Sequence, residues 1–136
     1  MPTGTEIAAS TKTMIDRYSE AVRTLGTGNA AGVLAMVAAL HTFTGHAQVL
    51  PWIRTAAIVF AIGVFLFALA YLSLVCAYIF MEHYTAMLDK EGASVKSIKS
   101  HDASVGGMYA TALCGLASTA CFFVAMGLAF IALLRL

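Results

Sequence analysis

Charge is what this sequence has least of. Only 11% of its 136 residues are Asp, Glu, Lys or Arg and 60% are hydrophobic, where an ordinary soluble domain is roughly 25% charged. Stretches this poor in charge are not tolerated on a water-facing surface, so a soluble globular fold is excluded as the expectation. The net charge of +1 leaves no basic footprint, and nucleic acid is not an expected partner. The three cysteines, Cys76, Cys114 and Cys121, form no Cys-x-x-Cys pair. Neither a disulfide framework nor a zinc site is expected, and they read as small apolar fillers inside apolar runs. A positively charged leader is also lacking. The chain opens "MPTGTEIAASTKTMIDRYSE", which is polar, so the first apolar run reads as an uncleaved anchor rather than a signal peptide.

The motifs of catalysis are missing too. No Gly-x-Ser-x-Gly elbow, His-Glu-x-x-His helix or Walker loop occurs. Glu82 beside His83 and Asp102 beside His101 are adjacent acid–histidine pairs, but neighbours on a helix point about 100° apart. No enzyme is expected. The apolar stretches Thr55–Met81 and Ala103–Leu134 contain no ionisable carboxylate, amine, guanidine or imidazole, which disfavours transport coupled to a proton or ion relay.

What is present reads as an all-α integral membrane protein: three transmembrane helices and an amphipathic N-terminal helix in one membrane domain, residues 1–136. Residues 5–25 carry an apolar stripe through Ile7, Thr11, Met14, Ile15, Tyr18, Val22 and Leu25, about 100° wide at helical spacing. Thr3 and Glu6 match a capping box at its start. Three acids and three bases share the other side (Glu6, Lys12, Asp16, Arg17, Glu20 and Arg23). Helices lying on a membrane surface are usually rich in Lys and Arg there, so the stripe is expected to pack against protein.

Gly26 and Gly28 interrupt the stripe, and a marginal first span follows over 26–44. The second span, 53–84, is unambiguous, with Pro51 at its first turn and Trp52 in the headgroup belt. Residues 85–102 form the most polar stretch and read as a solvated connection, with Gly92 ending one helix and Asp102 capping the next. The third span covers 103–134, with Gly106 and Gly107 placed to bend its first turn. No segment repeats at a fixed period. Lys12, Arg17 and Arg23 precede span one, and Lys90, Lys96 and Lys99 lie between spans two and three, against Arg54 and Arg135 alone on the other side. The positive-inside rule then places the N-terminus and the 85–102 connection in the cytoplasm and the C-terminus outside, in a bacterial inner membrane by expectation.

The histidines raise the question of a cofactor. His41 and His46 close span one, and His83 and His101 lie at the opposite ends of spans two and three. All four sit at span ends, where a polar aromatic ring is cheap, so they read as interface markers and no haem, metal or other cofactor is expected. In length and number of spans the chain is similar to the small membrane subunits of succinate dehydrogenases, but it has no mid-span histidine with which to share their function.

The remaining signal is helix association. Gly28 and Gly32 stand four apart, and Gly107, Thr111, Cys114, Ser118, Cys121 and Ala125 recur at three and four residues along span three. Small side chains let membrane helices approach closely. The expected function is non-enzymatic: assembly through helix contacts within the bilayer, with copies of itself or with other membrane subunits. Two alternatives follow, an oligomeric pore lined by Thr111 and Ser118 and a haem-carrying anchor of an electron-transfer complex.

Overall fold

The computed structural model describes the backbone of residues 4–91 and 95–136, and the side chains of residue 10, 12–87 and 99–136. The described residues form three helices in an up-down-up order: α1 (Gly4–Thr42), α2 (Leu50–Glu91) and α3 (Val95–Leu134). α2 and α3 are each long and apolar enough to cross a membrane, over Leu50–Met87 and Lys99–Leu134. Their most apolar windows are only 22% and 17% buried inside the molecule, whereas the core helix of a soluble protein is mostly buried. α1 does not reach that degree of apolarity.

Three expected boundaries move. The N-terminal helix and the first span are one continuous helix. Gly26 and Gly28 do not break it, because both face neighbouring helices that hold the backbone helical. The expected connection over 85–102 is helical at 85–91 and again from Val95, so Asp102 lies inside α3 rather than capping it. Its polar residues extend two long helices past their apolar stretches. α3 likewise runs through Gly106 and Gly107 without a break. Thr3, the side chains of Glu6, Ile7 and Thr11, and Gly92 lie outside the described residues, and the expected capping pair with them.

A repeat does exist, with a period of seven. On α2 the buried line is Ala56, Gly63, Ala70 and Ala77, with Val49 just before the helix in the same register, and on α3 it is Ser104, Thr111, Ser118, Ala125 and Ala132. On α1, Ile15, Val22 and Asn29 keep the same interval. A seven-residue period keeps a seam facing its partner along gently supercoiled helices. On α2 hydrophobicity does not reveal it, because that helix is apolar all round. Side-chain size, rather than hydrophobicity, carries the period.

Candidate helix-packing surfaces

The α2–α3 seam is built from small residues and hydroxyls. The Ser104 hydroxyl donates to the Ala77 carbonyl at 3.0 Å, and the Ser118 hydroxyl to the Gly63 carbonyl at 2.9 Å. The Thr111 hydroxyl lies 2.9 Å from the Gly107 carbonyl of its own helix and 3.3 Å from the Ala70 carbonyl across the seam. One turn below, the Ser100 hydroxyl donates to the Phe80 carbonyl at 2.8 Å. A side-chain hydroxyl reaches a backbone carbonyl of another helix only when the two backbones nearly touch, which small residues permit. At Gly107 the two helices lie close: a β-carbon there would meet the Ala77 Cβ at 2.9 Å and the Ser73 carbonyl at 3.2 Å.

α1 docks on this pair through a polar junction. Asn29 is fully buried, and its amide donates to the Ser118 hydroxyl at 3.0 Å, to the Leu25 carbonyl at 3.2 Å and to the Ser118 carbonyl at 3.4 Å. Its Oδ1 has no hydrogen-bond partner. That oxygen occupies the space a side chain would take at Gly63, where a β-carbon would come within 2.5 Å of it. One residue from each helix therefore meets at a single point. Above and below it, glycines receive aromatic rings. Gly26 faces Phe67 at 2.5 Å from its ideal β-position, Gly32 faces the Phe60 ring, and Gly28 faces Phe122 at 3.4 Å. Phe60 and Phe122 also meet edge to face.

The expected packing residues fall in different places. Thr111, Ser118 and Ala125 are buried in the α2–α3 seam, Gly107 is half-buried against Ala77, and Cys114 and Cys121 are half-buried on its flank. Gly28 and Gly32 face α3 and α2 respectively. On the N-terminal stripe Val22 is buried and Leu25 half-buried, while Met14 and Tyr18 are exposed. Of that stripe, Ile15 and Val22 make the packed line. Sequence reasoning missed Ser104, Gly63 and the role of Asn29; a size-based search at period seven finds the first two. Accordingly, Ile15→Glu or Val22→Glu should dissociate α1 and lower the melting temperature in detergent by several degrees, whereas Met14→Glu should leave it unchanged. Equal losses would place the packed line elsewhere.

The ends of the bundle are polar-aromatic. At one end Val49, Ile53 and Ala132 form a buried cluster. An apolar cavity of about 150 Å³ beside it is lined by Met36, Phe43 and Leu136 among others. Arg135 stacks over Trp52 at 4.7 Å, and the His46 and Phe43 rings meet edge to face. At the other end the His101 ring lies 5.2 Å from Tyr84, and its Nδ1 lies 3.9 Å from the exposed Asp102 carboxylate. His41 and His83 are exposed. Among the described residues no group of three or more His, Cys, Asp or Glu converges to hold a metal.

No family model, curated protein or solved structure matches the chain.

Proposed function

We propose that this chain is a three-span membrane protein without catalytic activity of its own, which works by joining other helices in the bilayer. The N-terminus lies in the cytoplasm and the C-terminus outside. The observation that carries the reading is where the interior polar groups go. The Ser104, Thr111, Ser118 and Asn29 side chains reach across to another helix rather than into an open cavity. Outside, α2 and α3 present large apolar side chains that suit lipid or membrane helices.

A pore through one copy finds no support in Thr111 or Ser118, since both are about 1% exposed and bond to carbonyls. α1 counts as the third span because it packs along the apolar length of α2, held there by Asn29 and its glycines. A marginal span inserts when neighbours satisfy its polar groups.

Extraction in mild detergent followed by mass measurement tests the reading. The chain should appear as a multiple of itself or with further membrane subunits, and a lone monomer under all mild conditions would overturn it. Orientation has its own check. Reporter fusions at residue 87 should read cytoplasmic and fusions at residue 136 external; the reverse would defeat the charge argument.

A further inference from the structure

At the end of the bundle that carries the α1–α2 turn, the cavity of about 150 Å³ takes its walls from all three helices. Met36 and Phe43 stand on the α1 side, Val49 and Ile53 on the α2 side, and Ala129 and Leu136 on the α3 side. No polar side chain lines it, so water has nothing to bond to there; an ordered water needs two to four polar partners. On α1 and α3 alike the lining reaches seven residues back from the end of the bundle, Phe43 to Met36 and Leu136 to Ala129, about 10 Å at helical rise. A volume of about 150 Å³ spread over that length is a slot a few ångströms wide. A further helix, about 10 Å across with its side chains, does not enter such a slot. A single hydrocarbon chain does. Val49, Ile53 and Ala132 are buried at its base, and Leu133 and Leu136 are exposed at its edge.

Charge supplies the second half of the site. No Asp or Glu occurs in residues 21–81 or 103–136. The end of the bundle that holds the cavity therefore carries Arg54 and Arg135 with no acidic side chain to meet them. Arg135 stands beside the cavity. Its neighbour Leu136 lines the space, and its guanidinium stacks 4.7 Å from the centre of the Trp52 ring, which packs on the buried Val49–Ile53–Ala132 cluster. Stacking occupies a face of the guanidinium and leaves the N–H donors in its plane free. Among the described residues no carboxylate lies within ion-pair distance of it. A planar cation with free donors matches a phosphate group, and tryptophan belongs to the headgroup level of a bilayer, where lipid phosphates are.

We propose that this end of the molecule binds one anionic phospholipid, with an acyl chain in the cavity and the phosphate on Arg135. The proposal rests on the membrane reading above and adds a ligand to it. The two halves of the site select together. A free phosphate would leave the apolar slot empty. A zwitterionic lipid would fill the slot but bring its own cation to compete with Arg135 for the phosphate. The chain enters from the side on which Leu133 and Leu136 are exposed.

Trp52 is the sole tryptophan, so its fluorescence reports on the site directly. The full chain, purified in mild detergent, is titrated with phosphatidylglycerol or phosphatidylcholine whose acyl chains carry bromine, which quenches tryptophan at contact. Phosphatidylglycerol should reach saturation at about ten-fold lower mole fraction than phosphatidylcholine. Arg135→Gln should bring the two lipids together, whereas Arg54→Gln, at the same end but not stacked on Trp52, should keep most of the preference. Ala129→Phe should fill the slot and weaken quenching by both lipids with the helical signal unchanged. Equal quenching by the two lipids in the parent, an unchanged preference in Arg135→Gln, or equal losses in the two arginine variants would overturn the site. Undiminished quenching in a folded Ala129→Phe would overturn the placement of the chain. Carbonate washing of native membrane vesicles keeps the two readings apart. A chain that washes off defeats the membrane assignment, and one that stays but shows no lipid preference defeats only the lipid site.

Discussion

Ser118→Leu should remove most of the protein's thermal stability in detergent. Ser118 is about 1% exposed and sits where all three helices meet. Its hydroxyl donates to the Gly63 carbonyl and accepts from the Asn29 amide. Leucine adds bulk with no free space to take it, since Gly63 on the facing helix already lies against Asn29. Overpacking typically costs about 1–3 kcal/mol, and each lost interhelical hydrogen bond about 0.6 kcal/mol within a bilayer. A total near 3 kcal/mol is expected, read as loss of helical signal on heating. Ser118→Ala, which removes the bonds without adding bulk, should cost only about 1 kcal/mol. Leu116→Phe should fall within about 0.5 kcal/mol of the parent, because Leu116 is 69% exposed. If Ser118→Leu and Leu116→Phe melt alike, the three-helix junction is not the packed centre.

The contrast between Ser118 and Leu116 also shows what the sequence made legible. In an apolar span, hydrophobicity does not distinguish inside from outside, because lipid is as apolar as leucine. Size does, which is why Thr111, Ser118 and Ala125 could be picked out from spacing alone. The same logic, applied to α2, would have found Ala56, Gly63, Ala70 and Ala77. Their signal is masked by Phe60, Phe65 and Phe67 between them. The boundaries were harder. Gly26 reads as a break because glycine is a poor helix former in isolation. Its role here is to admit Phe67, a contact with a residue far away in sequence. The polar run after Leu88 reads as a loop because no neighbour is visible from sequence. Yet Ser100 and Ser104 lie within that run and just past it, and both bond to α2 carbonyls. Asn29 was legible only as a polar residue near the end of a marginal span. Its depth follows from the register against Gly63 and Ser118, which no local pattern encodes.

That depth makes Asn29→Asp the second large effect expected. The substitution is nearly isosteric, so packing is not at issue. It exchanges a donor for an acceptor at a place built of acceptors: the Leu25 carbonyl at 3.2 Å, the Ser118 hydroxyl at 3.0 Å and the Ser118 carbonyl at 3.4 Å all receive from the Asn29 amide. It also puts a negative charge beside Gly63 and Ser118, near the middle of both apolar helices. A charge at such depth costs about 2.5–3.5 kcal/mol on insertion scales. A loss of about 3 kcal/mol at neutral pH is therefore expected. Asn29→Ala sets the comparison. It deletes the donor and the partnerless Oδ1 together, and leaves the Ser118 hydroxyl still donating to the Gly63 carbonyl. The acceptors left behind keep other partners, the Ser118 hydroxyl as donor to Gly63 and the Leu25 carbonyl within its own helix, so losing the amide is milder than setting a carboxylate against them, and about 1 kcal/mol should be lost. Thermal unfolding of the two variants in the same detergent decides the matter. Equal melting would mean that Asn29 is not held buried between the helices, and the register of α1 against α2 would have to be redrawn.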